Sequence, residues 1–299
     1  MKRGNVLITC RSFAAPAVTI SMSPSIDRAL VFAAMLLLAV PAQGDELSLA
    51  RKVKLLSDAY PQTLVGSEGG SILFGDGEPA LPIDDGKAKD HTRKLASGDI
   101  EDSLSQVYPP GACESRPEVD FDPGRIRSEA LMKRLYGGSA REVEASLVEV
   151  DWFGSKLLAT KRQGVAQALE KVRDELKAMP DLTIFLTPSA GTFNWRKVAG
   201  ASNLSVHSFG AAIDLNSRYA DYWIWAGGKP GRVQGRDNRI PMSIVDAFER
   251  NGFIWGGRWY HYDTMHFEYR PELLAIAKAA GASACRQTFP SENSVSRGR

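Results

Sequence analysis

The sequence predicts an α+β domain, with a mainly antiparallel sheet flanked by helices. Hydrophobic residues make up 43% of the 299-residue chain, which is enough for one sizeable core. Apolar residues recur at helical spacing in some segments, while other segments are the short apolar runs typical of strands. The two kinds of segment do not follow the regular βαβ order of a parallel sheet, which favours antiparallel pairing.

Helices are indicated by apolar periodicity and by the residues that begin or end them. Residues 164–179 place apolar side chains on one helical face, and Pro180 stops that helix. The other helices are predicted at 126–135, from Ser139, at 244–250 and from Pro271 to about Ala280. Strands are predicted at 182–186, 211–215, 253–255 and 265–269.

A leader is predicted ahead of the domain. Residues 29–40 form a short apolar run after Arg28, and small residues follow up to Gly44, as in a secretory signal peptide. A bilayer span takes roughly 20 apolar residues, so this run is short for one, although a buried helix or a retained anchor is the alternative. We expect loss of residues 1–44, with translation from either Met1 or Met22. The mature protein would be exported to the periplasm or the extracellular cell wall, without a stable membrane span.

Charge and composition argue against two classes of protein. The whole chain has a formal charge of +2, but its leader carries four basic residues against one acid. The remaining chain therefore has a charge of about −1, which is not the basic surface that nucleic-acid binding needs. Aromatic residues at 9% and charged residues at 24% are ordinary for folded proteins, which argues against disorder throughout the chain.

The mature chain is predicted to have three parts. Residues 45–112 are rich in Gly, Asp and Ser, and we expect an irregular N-terminal region packed on the main domain. The main domain is placed at 113–288, and a disordered tail at 289–299. Cys113 and Cys285 remain as an even pair in an oxidising compartment, so a disulfide is favoured over two free thiols.

The histidines and aspartates of the second half carry the chemical signal. His207 and Asp214 flank Gly210, which permits a tight turn, while Asp263 and His266 lie three residues apart. Two histidines and a carboxylate are the protein ligands of many hydrolytic zinc sites, which keep a fourth position for water. The sequence therefore predicts one Zn2+ ion on His207, Asp214 and His266. Asp263 is close enough to move protons, or alternatively to orient a histidine.

The pattern Ser-x-His-x-x-Gly-x-Ala-x-Asp at 205–214, followed by Asp-x-x-His at 263–266, resembles peptidase family M15. This family of zinc peptidases contains D-alanyl-D-alanine carboxypeptidases and L-alanyl-D-glutamate endopeptidases, and it is structurally akin to the hedgehog signalling domain. The resemblance covers about residues 149–270. It implies a hedgehog/DD-peptidase-like fold, His207, Asp214 and His266 as zinc ligands, and hydrolysis of amide bonds in the stem peptide of peptidoglycan.

The resemblance also implies roles for the residues around the metal. Asp263 would be the catalytic base, and Arg196 would bind the substrate carbonyl or carboxylate and stabilise the oxyanion. A solvated or structurally paired Arg196 is the alternative. Ser205 and His261 are placed near the substrate from their positions in the sequence and not from the resemblance. Ser205 is expected to brace its loop by hydrogen bonding rather than act as a nucleophile. His261 is expected to contact substrate or to be exposed rather than to serve as a fourth ligand.

Two classes of function are left open at this point. One is a zinc peptidase of carboxypeptidase or endopeptidase type; Asp263, where many carboxypeptidases have Glu, is more similar to the endopeptidase branch. The other is a non-catalytic, zinc-stabilised module that binds the cell wall, against which the presence of Asp263 argues. The aromatic residues at 219–225 are expected either to pack in the core or to line a groove for glycan or peptide. Trp255 and Trp259 are expected in the core.

Overall fold

The computed structural model describes residues 47–198, 203–233 and 235–286. The predicted signal peptide and the predicted disordered tail lie outside these ranges. Within them, no helix combines the length and the apolar character that crossing a membrane would take.

Helices and short strands are mixed in these ranges, which confirms the α+β prediction. The helices are α1 (Leu49–Ala59), α2 (His91–Ser97), α3 (Ile100–Ser103), α4 (Glu129–Tyr136), α5 (Ala140–Glu144), α6 (Val165–Leu176), α7 (Thr183–Leu186), α8 (Met242–Arg250) and α9 (Pro271–Ala279). The strands are β1 (Leu64–Glu68), β2 (Ser71–Phe74), β3 (Leu81–Pro82), β4 (Leu147–Trp152), β5 (Ser155–Thr160), β6 (Ala212–Asp214), β7 (Phe253–Trp255) and β8 (His266–Tyr269).

The strands pair antiparallel in small sheets. One sheet has the order β1-β2-β3, the hairpin β4-β5 forms another, and the third has the order β6-β8-β7. In the third sheet the last strand in sequence is central, so β8 has a hydrogen-bonded neighbour on each side. Because side chains alternate along a strand, β8 presents one set to the core and the other set to the opposite face.

The core lies against the Phe267 face of β8. Phe267 stacks on Phe248 of α8 with ring centroids 4.0 Å apart, and Trp255 of β7 packs on the same ring. All three side chains are almost completely buried, so this cluster fixes the sheet against α8. The residues on the other face of β8 are thereby directed away from this aromatic cluster.

One predicted strand is wrong. Residues 182–186 form the end of a 3-10 turn and the short helix α7 instead. A short apolar run does not by itself distinguish a strand from a buried helical turn. Here Pro180 starts a helical turn, and only one side of α7 is covered, since Leu186 is buried while Ile184 is 53% exposed.

The first part of the chain contacts the main body through buried hydrogen bonds. The Tyr60 hydroxyl donates to Glu272 Oε2 over 2.6 Å, and the Tyr108 hydroxyl donates to Glu249 Oε1 over 2.6 Å. Helix α1 also packs against α9. These contacts connect the first part of the chain to two helices of the main body, because Glu249 belongs to α8 and Glu272 to α9.

The predicted disulfide is present. Cys113 and Cys285 are bonded, with their Cα atoms 5.0 Å apart, although 172 positions separate them in sequence. The bond ties the segment that follows the N-terminal region to the chain after α9. All of the candidate metal residues lie between the two cysteines.

Candidate metal centre

Two facing strands bring the first two metal-site residues together. In the antiparallel pair β6–β8, Asp214 lies directly opposite His266. Cross-strand neighbours on one face have Cβ atoms roughly 4.5–5.5 Å apart, so both side chains can reach one point. The next residue on the same face of β8 is Glu268, because side chains alternate with a period of two.

His207 reaches the same point from a tight turn ahead of β6. It lies in the 3-10 turn Val206–Phe209, which Ser205 caps and Gly210 ends with a φ of +63°. A Cβ atom at Gly210 would lie 2.7 Å from Leu147 Cδ2, so both the backbone and the packing require glycine. The chain therefore turns back and runs along β6 beside the imidazole.

The three predicted ligands form a compact triangle of donor atoms. Asp214 Oδ1 lies 2.9 Å from His266 Nδ1 and 3.2 Å from His207 Nε2. The two ring nitrogens are 3.2 Å apart. Zinc bonds of roughly 2.0–2.2 Å to nitrogen and oxygen place tetrahedral ligand atoms about 3.3 Å from one another. The triangle is therefore of the size that one such ion takes.

Hydrogen bonds behind the triangle fix which nitrogen of each ring faces it. His207 Nδ1 lies 2.8 Å from the Thr192 carbonyl oxygen and can only donate to it. His266 Nε2 lies 3.1 Å from Glu268 Oε2 and donates there. The lone pairs of the remaining ring nitrogens point at Asp214, as in carboxylate–histidine–zinc arrangements.

The electrostatics of the triangle call for a positive charge. Although burial raises the pKa of Asp214, His207 and His266 hold it well below its usual range. Burial lowers the pKa of His266, but its hydrogen bonds to Asp214 and Glu268 raise it to about 10. Three lone pairs that converge in a buried place repel one another unless a proton or a cation lies between them. This donor set therefore fits a divalent metal of the zinc type.

Asp263 lies beside the triangle with one carboxylate oxygen unpaired. Its backbone bridges antiparallel to Tyr222, and its N–H donates to the Gly256 carbonyl over 3.1 Å. Asp263 Oδ1 is buried and has no hydrogen-bond partner among the described residues. Burial, and then the charge of Asp214, raise the pKa of Asp263 to about 6. A carboxyl group with such a pKa can exchange protons near neutral pH.

A cavity of about 230 Å3 opens onto the triangle and Asp263. This is smaller than the roughly 300–1,000 Å3 of pockets that enclose drug-sized ligands, so it suits a small part of a peptide. Charged and aromatic side chains form much of its wall. Among them are Arg125, Arg127, Arg196, Tyr222, Trp225 and Trp259.

A family model described as D-alanyl-D-alanine carboxypeptidase matches residues 199–269. The resemblance to peptidase family M15 is confirmed over this segment. The segment contains the whole triangle and Asp263, and the match supports a peptidase. No curated protein and no solved structure matched the chain.

Arg196 lies just before the matched segment and lines the cavity. Its side chain is exposed, and its only hydrogen bond among the described residues is a 3.4 Å contact to the Lys197 carbonyl. Its backbone is fixed by the buried Ser208, whose Oγ accepts from Arg196 N over 2.9 Å and donates to Arg196 O over 2.7 Å. Ser205 lines the cavity, and its Oγ accepts from the His207 N–H over 3.4 Å. The turn Val206–Phe209 therefore holds the backbone of Arg196, while its side chain is exposed at the cavity wall.

His261 requires a correction, because it is neither exposed nor on the cavity wall. It is 3% exposed, and its Nδ1 donates to Asp122 Oδ2 over 2.6 Å. Its Nε2 accepts from the Gly231 N–H over 3.1 Å. Both ring nitrogens are thus hydrogen-bonded inside the protein, and His261 does not line the metal-centre cavity.

His91 and Asp120 complete a second cluster around His261. His91 Nε2 lies 2.9 Å from Asp122 Oδ2 and 3.9 Å from Asp120 Oδ1. Although burial raises the pKa of Asp122, its hydrogen bonds to His261 and His91 hold it well below the usual range. Asp122 lies between the rings of His91 and His261 and accepts a hydrogen bond from each. The cluster is therefore a set of structural hydrogen bonds. It fastens the N-terminal region to the segment that leads to Asp263.

The aromatic residues at 219–225 divide between the two predicted environments. Trp223 is buried, whereas Tyr222 and Trp225 line the cavity, and Trp225 is 61% exposed. Tyr219 packs against the core from a partly buried position. The predicted core positions of Trp255 and Trp259 are confirmed, and Trp259 also contributes to the cavity wall.

Four residues of the candidate site were not predicted from the sequence. Glu268 carried a usable signal, since it lies two positions after His266 and therefore on the same face of a strand. Thr192 acts through its backbone carbonyl, and such a role leaves no trace in side-chain identity. Arg125 and Arg127 lie far ahead of the motif, and only the tertiary fold brings them to the cavity.

Proposed function

We propose that the protein is an exported zinc peptidase that hydrolyses an amide bond in the stem peptide of peptidoglycan. The observation that carries this proposal is the triangle of His207, Asp214 and His266 beside the unpaired oxygen of Asp263. The match to the D-alanyl-D-alanine carboxypeptidase model supports the peptidase class and the substrate class. A cavity that suits a small part of a peptide agrees with both.

The proposed fold is that of the hedgehog/DD-peptidase type. Its support is the small antiparallel sheet β6-β8-β7, which carries two metal ligands on adjacent strands, together with the match over the same stretch. Export is proposed from the apolar run at 29–40 and agrees with the disulfide, since disulfides persist in oxidising compartments. Sequencing the N-terminus of the mature protein tests it, and Asp45 is the expected first residue.

Each residue at the triangle has a defined task in the proposed reaction. His207, Asp214 and His266 would hold the ion, which when bound supplies a Lewis acid and lowers the pKa of water towards ~7. Asp263 accepts a proton from the attacking water through its unpaired oxygen and passes it to the leaving amine as the C–N bond breaks. Arg196, at the cavity rim, donates to the carbonyl oxygen as negative charge develops there.

The alternative is a zinc-stabilised module that binds the cell wall without cleaving it. Such a module needs the three metal ligands. It does not need the carboxylate of Asp263, which is partly buried and has an oxygen without a hydrogen-bond partner among the described residues. An unsatisfied buried polar atom costs roughly 1–3 kcal/mol, which a purely structural site would not need to carry. The state of Asp263 therefore favours the enzyme.

The proposal is tested by digesting purified peptidoglycan with the mature protein and identifying the fragments by mass spectrometry. Zinc-loaded protein should release fragments, a chelator should stop the release, and added zinc should restore it. Free D-alanine identifies a carboxypeptidase, whereas a new N-terminal D-glutamate identifies an endopeptidase. Zinc-loaded protein that binds the sacculus but releases nothing would establish the binding module instead.

A further inference from the structure

The wall of the metal cavity carries more positive charge than the proposed reaction uses. Its charged side chains include Arg125, Arg127, Arg196, Asp214, Asp263 and Glu268. Three arginines and three carboxylates balance, so a divalent ion held by the triangle leaves about two positive charges uncompensated. A small and partly enclosed cavity of that charge attracts an anionic group.

The guanidinium of Arg125 is the least satisfied of the three. Its Nη1 is buried and has no hydrogen-bond partner among the described residues. The carboxylate oxygen with which Arg125 Nη1 forms a salt bridge, Asp122 Oδ1, lies 3.8 Å from it. This oxygen already accepts a hydrogen bond from the His261 backbone N–H over 2.9 Å. Arg127 by contrast donates to the Gly124 carbonyl and lies 3.5 Å from Glu268.

Arg125 also lies against two aromatic rings. Its guanidinium carbon lies 5.9 Å from the ring centroid of Trp223 and 5.8 Å from that of Trp259, within the range of cation–π attraction. The loop that carries Arg125 is hydrogen-bonded to the segment just before Asp263. The Pro123 carbonyl accepts from Trp259 Nε1 over 2.7 Å, and the Phe121 carbonyl accepts from Tyr260 N over 2.8 Å.

We propose that Arg125, with Arg127 beside it, binds a carboxylate of the substrate on the leaving-group side of the scissile bond. A planar guanidinium with unused N–H groups suits a carboxylate, which it can bind through two parallel hydrogen bonds. We assign the leaving-group side because Asp263 would deliver its proton to the leaving amine, and the loop that carries Arg125 is hydrogen-bonded to the segment just before Asp263.

Two sources of that carboxylate are compatible with the proposed function, on which this inference rests. A carboxypeptidase substrate has a C-terminal carboxylate on the residue that leaves. An endopeptidase substrate cut before glutamate also has one, because glutamate has a free carboxylate whichever of its two carboxyls continues the peptide. In both cases the subsite selects the residue after the scissile bond by its charge.

Paired substrates that differ only in this charge test the proposal. Zinc-loaded protein is assayed with a stem peptide ending in D-Ala-D-Ala and with its C-terminal amide. It is likewise assayed with a peptide cut before D-glutamate and with the same peptide in which the free carboxyl of that glutamate is amidated. We expect kcat/KM about 10- to 100-fold higher for the charged member of the pair that is cleaved, mainly through KM. Arg125→Gln should abolish that preference, and Arg125→Lys should retain part of it.

Controls separate the subsite from the stability of the fold and from the reaction itself. Arg93→Gln removes an equal charge from an exposed position and should leave the preference unchanged. Zinc content and thermal midpoint are measured for each variant. Calorimetric titration with D-alanine, D-glutamate and their amides gives a binding readout that does not depend on turnover.

Three outcomes decide the matter. Equal cleavage of charged and amidated substrates, unchanged in Arg125→Gln, overturns the subsite and leaves the peptidase intact. If no substrate is cleaved, the proposed function fails. In that case the calorimetric preference for the carboxylate, and its loss in Arg125→Gln, still decides whether the subsite exists.

Discussion

At the scale of single residues, the metal triangle depends on hydrogen bonds that lie behind it. Glu268 is completely buried and accepts from His266 Nε2, while Arg270 donates to its other oxygen over 3.1 Å. Burial alone would raise the pKa of Glu268, but the charges of Arg127, His266 and Arg270 lower it to about 2. The carboxylate is therefore ionised and holds the His266 ring with its Nδ1 towards Asp214.

We predict that Glu268→Gln weakens zinc binding by about 10- to 100-fold, because the ring of His266 loses its charged acceptor. Competition with a chromophoric chelator measures the change. Glu272→Gln is the matched control, since Glu272 is also buried and bonded to Arg270 but does not contact a ligand. Equal zinc affinity in the two variants would contradict the role given to Glu268.

Asp263→Asn is predicted to keep zinc and to lower kcat by at least ~10²-fold, because an amide cannot accept the proton of the attacking water. Metal content by mass spectrometry and the rate of peptide release are the measurements. Asn has nearly the shape of Asp, so the cavity is preserved. Undiminished turnover in this variant would remove Asp263 from its assigned role.

Site residues could be predicted from the sequence where a short motif fixes their spacing. His207, Asp214 and His266 could be predicted because few histidines are present and their order and gaps match a known pattern. His261 could not be placed, because its partner Asp122 lies 139 positions earlier in the chain. Arg125 was missed for the same reason, since contacts across such distances are set by the fold and not by a local pattern.

At the scale of elements, the turn between His207 and β6 is the most constrained part of the site. Gly210 has a φ of +63°, and the space for its Cβ is already taken by Leu147 and Thr160. Apolar periodicity and capping residues predicted α4, α5, α6, α8 and α9, and α9 begins at Pro271 as expected. Helices α1, α2 and α3 were not predicted, because they lie in the stretch 45–112 that was expected to be irregular. The strand predicted at 182–186 failed because an apolar run of this length suits either geometry.

Gly210→Ala is predicted to destabilise the fold by about 1–3 kcal/mol and to weaken zinc binding, because strain and overlap displace the turn that carries His207. Urea unfolding gives the first quantity and chelator competition the second. Gly154→Ala is the matched control: Gly154 also has a positive φ, of +86°, but nothing lies within 4 Å of its Cβ position. A zinc affinity equally reduced in both variants would mean that the overlap has no part in the effect.

At the scale of the whole molecule, segments distant in sequence are joined around the site. The disulfide links Cys113 to Cys285, and the loop at 121–127 reaches the cavity from the part of the chain that precedes the matched segment. The sequence predicted this bond from cysteine number and compartment. It did not reveal that Arg125 and Arg127 would form part of the cavity wall.

The double variant Cys113→Ser, Cys285→Ser is predicted to lose roughly 2–4 kcal/mol of unfolding free energy, because the unfolded chain gains conformational freedom. Denaturant unfolding of the variant and of the oxidised parent gives the difference. Reduced parent protein should behave as the variant does. Coincident unfolding curves for all three would show that the bond adds nothing to stability.

The cross-strand pairing of Asp214 with His266 has a consequence for when the metal can enter. A slip of one residue between β6 and β8 would turn Asp214 to the opposite face and break the triangle. The three proposed ligands thus come together only when this long-range strand pairing has formed in the correct register. Under the proposed function, the metal would bind only correctly paired chains, and its binding would stabilise those chains against unfolding.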